Sequence, residues 1–180
     1  MVEMDERGLM LRSLKEYLEE LGESGVDELT FWQAPVQEND CRLEGNPLAR
    51  LLFVITGTGV AGAAGELLEK IIVAMGFARR EVCLLVIDAC PEVPGSLRAT
   101  VTGRIAALAP EVTVALGEQA TRLLFGSSEP LERLRGRFHD LGGIPVMASF
   151  HPDAMLENPA LKREVWSDMQ QVMKRLAQPL

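Results

Sequence analysis

Two parts of this 180-residue sequence hold residues whose types and spacing could do chemistry. The first is a glycine turn, Gly57-x-Gly59-x-x-Gly62, which lies between an apolar run at residues 51–55 and a helical pattern of leucine and isoleucine. Glycines at this spacing, between a strand and a helix, are typical of dinucleotide sites, where backbone N–H groups hold the pyrophosphate. The turn therefore predicts a pocket that tolerates anions, and a dinucleotide is one candidate ligand.

The same turn lacks the side chains that proton-transfer chemistry needs. From residue 47 to residue 65 there is no Asp, Glu, Asn, Gln, His or Cys, so that Thr56 and Thr58 offer the side-chain hydroxyls. Hydroxyls and backbone amides can bind an anion, but they cannot act as a general base. In a dinucleotide site, Asp88 at the end of the next apolar run would hold the ribose. The structural alternative is that the glycines let the following helix pack closely on a sheet.

The second candidate is His151, in the segment Ser149-Phe150-His151-Pro152-Asp153 that follows the apolar run at residues 144–148. Ligands of α/β proteins bind beyond the C-terminal ends of strands, where this histidine falls. Pro152 restricts the preceding residue to extended backbone, which holds the imidazole in place. The position predicts a site residue, and a purely structural hydrogen bond is the alternative.

The elements that must position these residues alternate along the chain. Apolar runs that predict strands lie at residues 51–55, 82–87, 112–116 and 144–149, and helical patterns lie at residues 61–75, 97–108, 118–125 and 160–177. Continuous Val, Ile and Leu runs are typical of parallel strands that are buried on both faces. We therefore predict an α/β fold, a three-layer α/β/α sandwich around a central four-stranded parallel sheet, with Gly76 and Gly126 ending two of its helices.

Length and charge indicate one domain over residues 1–180, with an acidic N-terminal helix at about residues 8–21 and an arm that reaches residue 45. The net charge is −8, and residues 1–45 carry 12 acidic and 4 basic side chains whereas the remainder is balanced. This arm is a candidate surface for a protein partner. Nucleic-acid binding proteins normally show a basic surface, and the local candidate is Arg133, Arg135 and Arg137, which acidic neighbours could instead neutralise.

The apolar runs are too short for a membrane span of ~20 residues, and the charged first eight residues do not resemble a signal peptide. We expect no membrane association and a cytoplasmic location. The cysteines, Cys41, Cys83 and Cys90, are widely spaced, which indicates reduced thiols instead of a disulfide framework or a zinc site.

Several segments, in order along residues 42–172, resemble the uracil-DNA glycosylase superfamily and especially its family 4 branch. They are EGNPLA at residues 44–49, VAGAAGELL at 60–68, APEVTVALGEQA at 109–120, Leu134-Arg135-Gly136, SFHP at 149–152 and the segment 162–168. The resemblance implies an α/β sandwich that grips damaged DNA, flips a base out of the stack and hydrolyses its glycosidic bond. DNA or a nucleotide is then the expected partner.

The resemblance assigns roles to some residues and leaves others without one. His151 matches the histidine that stabilises charge on the departing base, and Leu134-Arg135-Gly136 matches the family's Leu-Arg-Gly segment, whose flanking arginines suit phosphate contact. The loop that carries the water-positioning acid and the stacking aromatic residue is replaced here by residues 55–59. Val86 stands where family 4 has its base-reading asparagine, and valine cannot hydrogen-bond a base edge.

The iron–sulfur cluster of that family requires four thiolates, and this chain has three cysteines, so we expect no cofactor. Cys90 alone falls on a ligand position of the family, and Leu97 occupies another. The expected substrate pocket comprises residues 56–59 (Thr56, Gly57, Thr58, Gly59), Asp88, Pro152, Asp153, Arg135 and Gly136. Three functions remain open: a glycosylase with weak, altered or lost activity, a non-catalytic nucleotide- or protein-binding module, and a dinucleotide enzyme. Asp88, Asp140 and Asp153 are candidates to replace the missing acid.

Overall fold

A computed structural model describes residues 41–57, 61–87 and 95–178, with the side chains of residues 95 and 96 excepted. The strands of this part are β1 (Cys41–Gly45), β2 (Leu51–Thr56), β3 (Val82–Ile87), β4 (Val112–Leu116), β5 (Phe138–Leu141) and β6 (Ile144–Ser149). The helices are α1 (Gly62–Ala74), α2 (Gly95–Leu108), α3 (Glu118–Phe125), α4 (Leu131–Leu134), α5 (Pro152–Glu157) and α6 (Leu161–Leu176), with a 3₁₀ turn at Arg79–Glu81.

The strands form one six-stranded sheet in the order β1-β3-β2-β4-β6-β5. Its four inner strands are parallel and are the four predicted from the apolar runs. The prediction of a central four-stranded parallel sheet is confirmed, and the structure adds two edge strands, since β1 pairs antiparallel with β3 and β5 pairs antiparallel with β6. Both edge strands are partly exposed and five residues long at most. Their short segments mix polar and apolar residues, which gives no continuous apolar run to detect.

Two hydrophobic cores lie on opposite faces of this sheet, which confirms the predicted three-layer arrangement. Successive residues of a strand point to opposite faces, so that Leu51, Phe53 and Ile55 enter one core while Leu52 and Val54 enter the other. The first core also receives α1, α5 and α6, and the second receives α2 and α3. Each large side chain buried in this way contributes roughly 1.5–3 kcal/mol to stability, so the apolar runs fix the strands in place.

The predicted helices agree with the structure to within one or two residues at their ends where the structure describes them. The glycine predicted to end α3, Gly126, is left-handed at φ 61°, and its N–H donates to the carbonyl of Arg122 at 2.8 Å. The short helices α4 and α5 were missed, because four or six residues are too few for a helical period to emerge.

The predicted helix at residues 8–21 and most of the acidic arm lie outside the described residues. The last five residues of the predicted arm, Cys41–Gly45, form a strand of the sheet, for which no strand was predicted. None of the helices in the described part of the chain has the length and hydrophobicity to cross a membrane.

Candidate functional site

The candidate site lies at the edge of the sheet where the parallel strands end. In the strand order β2 stands between β3 and β4. The chain therefore runs from β2 to β3 on one side of β2 and then crosses over to form β4 on the other side. Such a switch point opens a crevice between the C-terminal ends of the two neighbouring strands, where ligands of α/β sheets bind. Thr56 and Gly57 at the end of β2 and Gly117 at the end of β4 are therefore at the crevice. Gly57 is fixed there, because its N–H donates to the carbonyl of Ile87 at 2.8 Å.

His151 reaches the same edge from β6. Its backbone is extended, with φ −66° and ψ 146°, as the following proline requires, and it caps the N-terminus of α5. Pro152 occupies the first position of that helix, where its missing N–H is no loss. The imidazole Nδ1 accepts a hydrogen bond from the backbone N–H of Asp153 at 3.2 Å. The sequence prediction that proline holds this histidine in extended backbone at a strand end is confirmed.

Nδ1 of His151 lies within hydrogen-bond distance of two atoms of Asp153, the backbone N–H and the carboxylate. When Nδ1 accepts from the N–H of Asp153, a neutral ring must carry its hydrogen on Nε2. When Nδ1 instead carries the hydrogen, it can donate to the Asp153 carboxylate, whose Oδ2 also lies 3.2 Å away. Nε2 is therefore a donor whenever Nδ1 accepts from the N–H of Asp153. It is buried and has no hydrogen-bond partner among the described residues, which leaves it ready to donate to a ligand.

Gly117 sets how closely β4 can approach this imidazole. A Cβ atom built on Gly117 would lie 3.0 Å from Cβ and 3.4 Å from Cδ2 of His151, and the glycine has φ 92° and ψ 168°. This backbone region is essentially restricted to glycine. The N–H of Gly117 also donates to the carbonyl of Ser149 at 2.8 Å, which ties the end of β4 to the end of β6.

Arg135 lies at the same end of the sheet but points into the protein. Its Nη2 is 3.0 Å from Oδ1 of Asp168 and its Nη1 is 2.8 Å from Oε2 of Glu164, and the guanidinium carbon lies 5.1 Å from the ring centroid of Phe150. The Nε atom also donates to Asp168, so all three guanidinium nitrogens are occupied. The expected contact of Arg135 with phosphate therefore competes with an internal ion pair that already uses its donors.

Asp168 accepts a further hydrogen bond at 2.7 Å from the hydroxyl of Ser149, two residues before His151. Burial raises the pKa of this carboxyl group, and the Ser149 hydroxyl and the Arg135 charge oppose that rise. The carboxyl side chain is 1% exposed. It is the only charged residue that is buried in the part of the chain that the structure describes.

The Leu134-Arg135-Gly136 segment is a turn that brings β5 back beside β6. Gly136 has φ 75°, a left-handed conformation that other residues rarely adopt. Because Phe138 pairs with Met147 of β6, the residues just before Phe138 lie at the His151 end of the sheet. Arg133 and Arg137 flank this turn, are exposed, and have no ion-pair partner among the described residues.

The structure thus brings Thr56, Gly57, His151, Pro152 and Asp153 to one edge of the sheet. Arg135 and Gly136 lie at that edge too, but they belong to the turn before β5, and the Arg135 side chain pairs with Asp168 inside the protein. Thr58, Gly59 and Asp88 are predicted pocket residues outside the described part of the chain.

Asp140 cannot supply the missing acid. Its Oδ2 accepts from the N–H of Gly143 in the β5–β6 hairpin. That hairpin lies at the opposite end of β6, about 16 Å from Ser149 at the usual rise of a strand.

Gly117 and Ser149 fall at the ends of predicted strands but were not predicted as pocket residues, and Asp168 was missed altogether. For Asp168 a signal existed in the sequence, because it shares a helical face with Val165, Met169 and Val172. An acidic residue on the apolar face of an amphipathic helix needs a buried partner.

The residues present do not fit the iron–sulfur cluster that the family 4 resemblance implies. Leu97, at one ligand position, is 4% exposed and packs into the hydrophobic core. Cys41 and Cys83 are buried in strands β1 and β3, and burial raises the pKa of Cys83, which disfavours the thiolate that binds metal. Among the described residues, no group of three or more potential metal ligands is assembled.

The fold and the site define an α/β sandwich protein whose candidate chemistry lies around a strand-end histidine. The uracil-DNA glycosylase superfamily matches residues 43–170, most of the chain, and the protein belongs to that superfamily. It is similar to the type-4 uracil-DNA glycosylase of Thermotoga maritima, with 31% identity over 71% of this chain and 78% of the relative. The type-4 enzymes of Saccharolobus solfataricus (27% identity, 74% of both chains) and Archaeoglobus fulgidus (25% identity, 71% of this chain and 77% of the relative) are also similar.

Proposed function

We propose that this protein binds DNA and acts on a base that has left the stack, with base-excision activity that is weak or altered relative to uracil excision. The observation that carries the proposal is His151, whose Nε2 is a buried donor without a partner among the described residues. The relatives named above are uracil-DNA glycosylases. The proposal extends their class of substrate, a base in DNA, to this chain.

In the proposed reaction the bond between C1′ of the sugar and the base nitrogen breaks, and its electron pair leaves with the base. The Nε2–H of His151 donates a hydrogen bond to an oxygen of that base and stabilises the negative charge that develops there. Water adds to C1′ and releases one proton to solvent, and the departed base anion takes up a proton from solvent, which completes the hydrolysis. His151 is suited to this task because Nε2 carries the hydrogen of the neutral ring whenever Nδ1 accepts from the N–H of Asp153.

Two features support weak or altered activity. The sequence from residue 47 to residue 65 holds no carboxylate, so the turn after β2 has no side chain that could activate the water. Val86, aligned with the base-reading asparagine of family 4, is fully buried in the hydrophobic core. It offers no hydrogen bond with which to select uracil. A transition state with oxocarbenium character still permits slow cleavage without a strong base.

For DNA contact we propose Arg133 and Arg137, which are exposed at the His151 end of the sheet. Replacing both with Gln should weaken DNA binding and lower the slope of log K against log salt by about 2, since each phosphate contact contributes close to 1. Arg80→Gln is the matched control, because Arg80 is exposed just before β3 begins, at the opposite end of the sheet. An equal loss of slope in the control would contradict this assignment.

A second candidate is a binding module without catalysis, for a nucleotide or for a protein partner of the acidic N-terminal segment. The missing carboxylate favours it. The dinucleotide interpretation is weaker, because a Cβ built on Gly62 would meet no atom within 4 Å. The third glycine of that motif normally permits close packing between helix and strand. A cytoplasmic location remains part of the proposal.

The deciding experiment measures base release from single- and double-stranded oligonucleotides that contain uracil, hypoxanthine or xanthine, beside a type-4 uracil-DNA glycosylase. We expect slow release from at least one substrate and its loss in His151→Ala. His139→Ala removes the only other histidine as a control. DNA binding without any release would instead support the binding module. Uracil release as fast as the type-4 enzyme, or release unaffected by His151→Ala, would overturn the proposal.

A further inference from the structure

Asp168, in helix α6 on one face of the sheet, connects two segments that face the candidate site: the end of β6 and the turn before β5. Its carboxylate accepts from Ser149 at 2.7 Å, at the end of β6, and pairs with Arg135 of the turn before β5 at 3.0 Å. These contacts join α6 to the strand that carries His151 and to the turn that carries the exposed arginines. No other charged residue is buried in the described part of the chain.

Holding a helix on a sheet through a buried carboxylate costs the solvation free energy of that charge. Burial raises the pKa of Asp168, which means that the charged form loses solvation that Ser149 and Arg135 only partly replace. Apolar residues of similar volume often stabilise a protein as well as a buried ion pair does. What a carboxylate adds is direction, because its oxygens accept hydrogen bonds only from donors that are placed correctly.

The hydrogen bonds and contacts of this network hold three consecutive residues, Ser149, Phe150 and His151. The hydroxyl of Ser149 is held by Asp168, while its carbonyl accepts from Gly117 at 2.8 Å. The ring of Phe150 lies under the guanidinium of Arg135 at 5.1 Å. His151 follows directly, with Nδ1 fixed by the N–H of Asp153 at 3.2 Å. The backbone that leads into the imidazole is therefore held from both sides.

We propose that Asp168 is a positioning residue for His151, which it orients through Ser149 and through the Arg135–Phe150 contact. The inference rests on the proposed role of His151 as the group that faces the base. Asp168 itself does not touch the substrate. Its loss should change the orientation of the imidazole more than it changes the overall fold.

Two variants break the network at different points. Ser149→Ala removes one hydroxyl, and Asp168→Asn keeps the shape of the side chain but loses its charge. Thr113→Val is the matched control, because Thr113 is a buried residue of the neighbouring strand whose hydroxyl has no partner among the described residues. Ser149→Thr retains the hydroxyl and serves as the conservative rescue.

The readout is the ¹⁵N signal of the His151 ring, recorded without substrate and assigned with His139→Gln, which leaves a single histidine. The wild type should show one tautomer with hydrogen on Nε2. In Ser149→Ala the Nδ1 and Nε2 signals should move toward the values of a mixture of the two neutral tautomers. The Tm of thermal unfolding should fall by only about 3–6 °C. Thr113→Val and Ser149→Thr should keep the wild-type ring signals.

Base release tests the consequence. Where the wild type releases a base, Ser149→Ala should lower kcat about tenfold while KM stays close to the wild-type value. Unchanged ring signals in Ser149→Ala, or equal changes in Thr113→Val, would overturn the positioning role. If Asp168→Asn does not fold, Ser149→Ala alone decides. A wild type without any base release would refute the proposed function, but the ring signals would still decide the positioning role.

Discussion

Replacing Gly117 with alanine should displace His151 while leaving the sheet intact. The alanine Cβ would lie 3.0 Å from Cβ of His151, closer than side-chain carbons normally approach, and 3.4 Å from Cδ2 of its imidazole. The backbone at φ 92° and ψ 168° adds a further penalty of about 1–3 kcal/mol for any residue with a side chain. Together the strain and the close contact should destabilise the protein by about 2–4 kcal/mol.

For a chain of this size the change corresponds to a fall in Tm of roughly 4–16 °C, at about 2–4 °C per kcal/mol. Two measurements separate stability from site geometry: thermal unfolding, and the ¹⁵N signal of the His151 ring. We expect both to change in Gly117→Ala. Any base release by the wild type should fall at least tenfold, because an error near 1 Å in a catalytic group is enough for such a loss.

Gly103→Ala is the matched control. Gly103 lies within α2, and a Cβ built on it would meet nothing within 4 Å. Alanine at an unstrained helical position should stabilise the protein by about 0.4–1 kcal/mol and leave the ring signal unchanged. The reasoning is refuted if Gly117→Ala keeps the wild-type Tm and ring signal, or if both glycine variants lose stability equally.

Three other predictions concern the rest of the molecule. Arg50 donates to Glu111 at 2.6 Å and lowers the pKa of that carboxyl group; the stabilisation is complete above the ordinary pKa near 4.5 and is lost as the pH falls through the lowered value. Urea unfolding should therefore show the difference between wild type and Glu111→Gln shrinking below pH 4.5, and a difference independent of pH would contradict it. Val86→Asn should lower the free energy of unfolding by about 1–3 kcal/mol, because it buries an amide in an apolar core, whereas unchanged stability would place position 86 in polar surroundings. Leu97→Cys should destabilise the protein and purify without iron–sulfur absorption, and stoichiometric iron would show that the other thiols are better placed than their burial indicates.

The inner part of the fold could be predicted because its signal is local. Four apolar runs have the length of strands and lack polar alternation, which parallel strands buried on both faces require. Helices alternate with them at a regular spacing, and Gly126 ends one as predicted. The two edge strands gave no comparable pattern, since Cys41–Gly45 and Phe138–Leu141 each have an exposed side. Their pairing depends on the neighbouring strand and not on their own composition.

The candidate site also has some features that the local sequence predicted and others that it did not. The His-Pro dipeptide alone requires extended backbone before proline, so the conformation of His151 followed from two residues. The role of Arg135 did not follow, because an arginine in an exposed-looking turn is equally suited to phosphate and to a buried carboxylate. Its partner, Asp168, is 33 residues away along the chain. Only the packing of α6 on the sheet brings the two charges together, and burial then makes the ion pair more favourable than separate charges.

The sequence by itself determined the α/β class, the order of the inner elements, the missing carboxylate after β2 and the membership of a DNA glycosylase superfamily. These properties depend on composition and spacing within short segments. The tertiary structure decided which side chains face the crevice, that Asp140 lies at the far end of the sheet, and that Nε2 of His151 is buried without a partner among the described residues. Those properties depend on contacts between residues that are distant in sequence, whose energies exist only after the chain has folded.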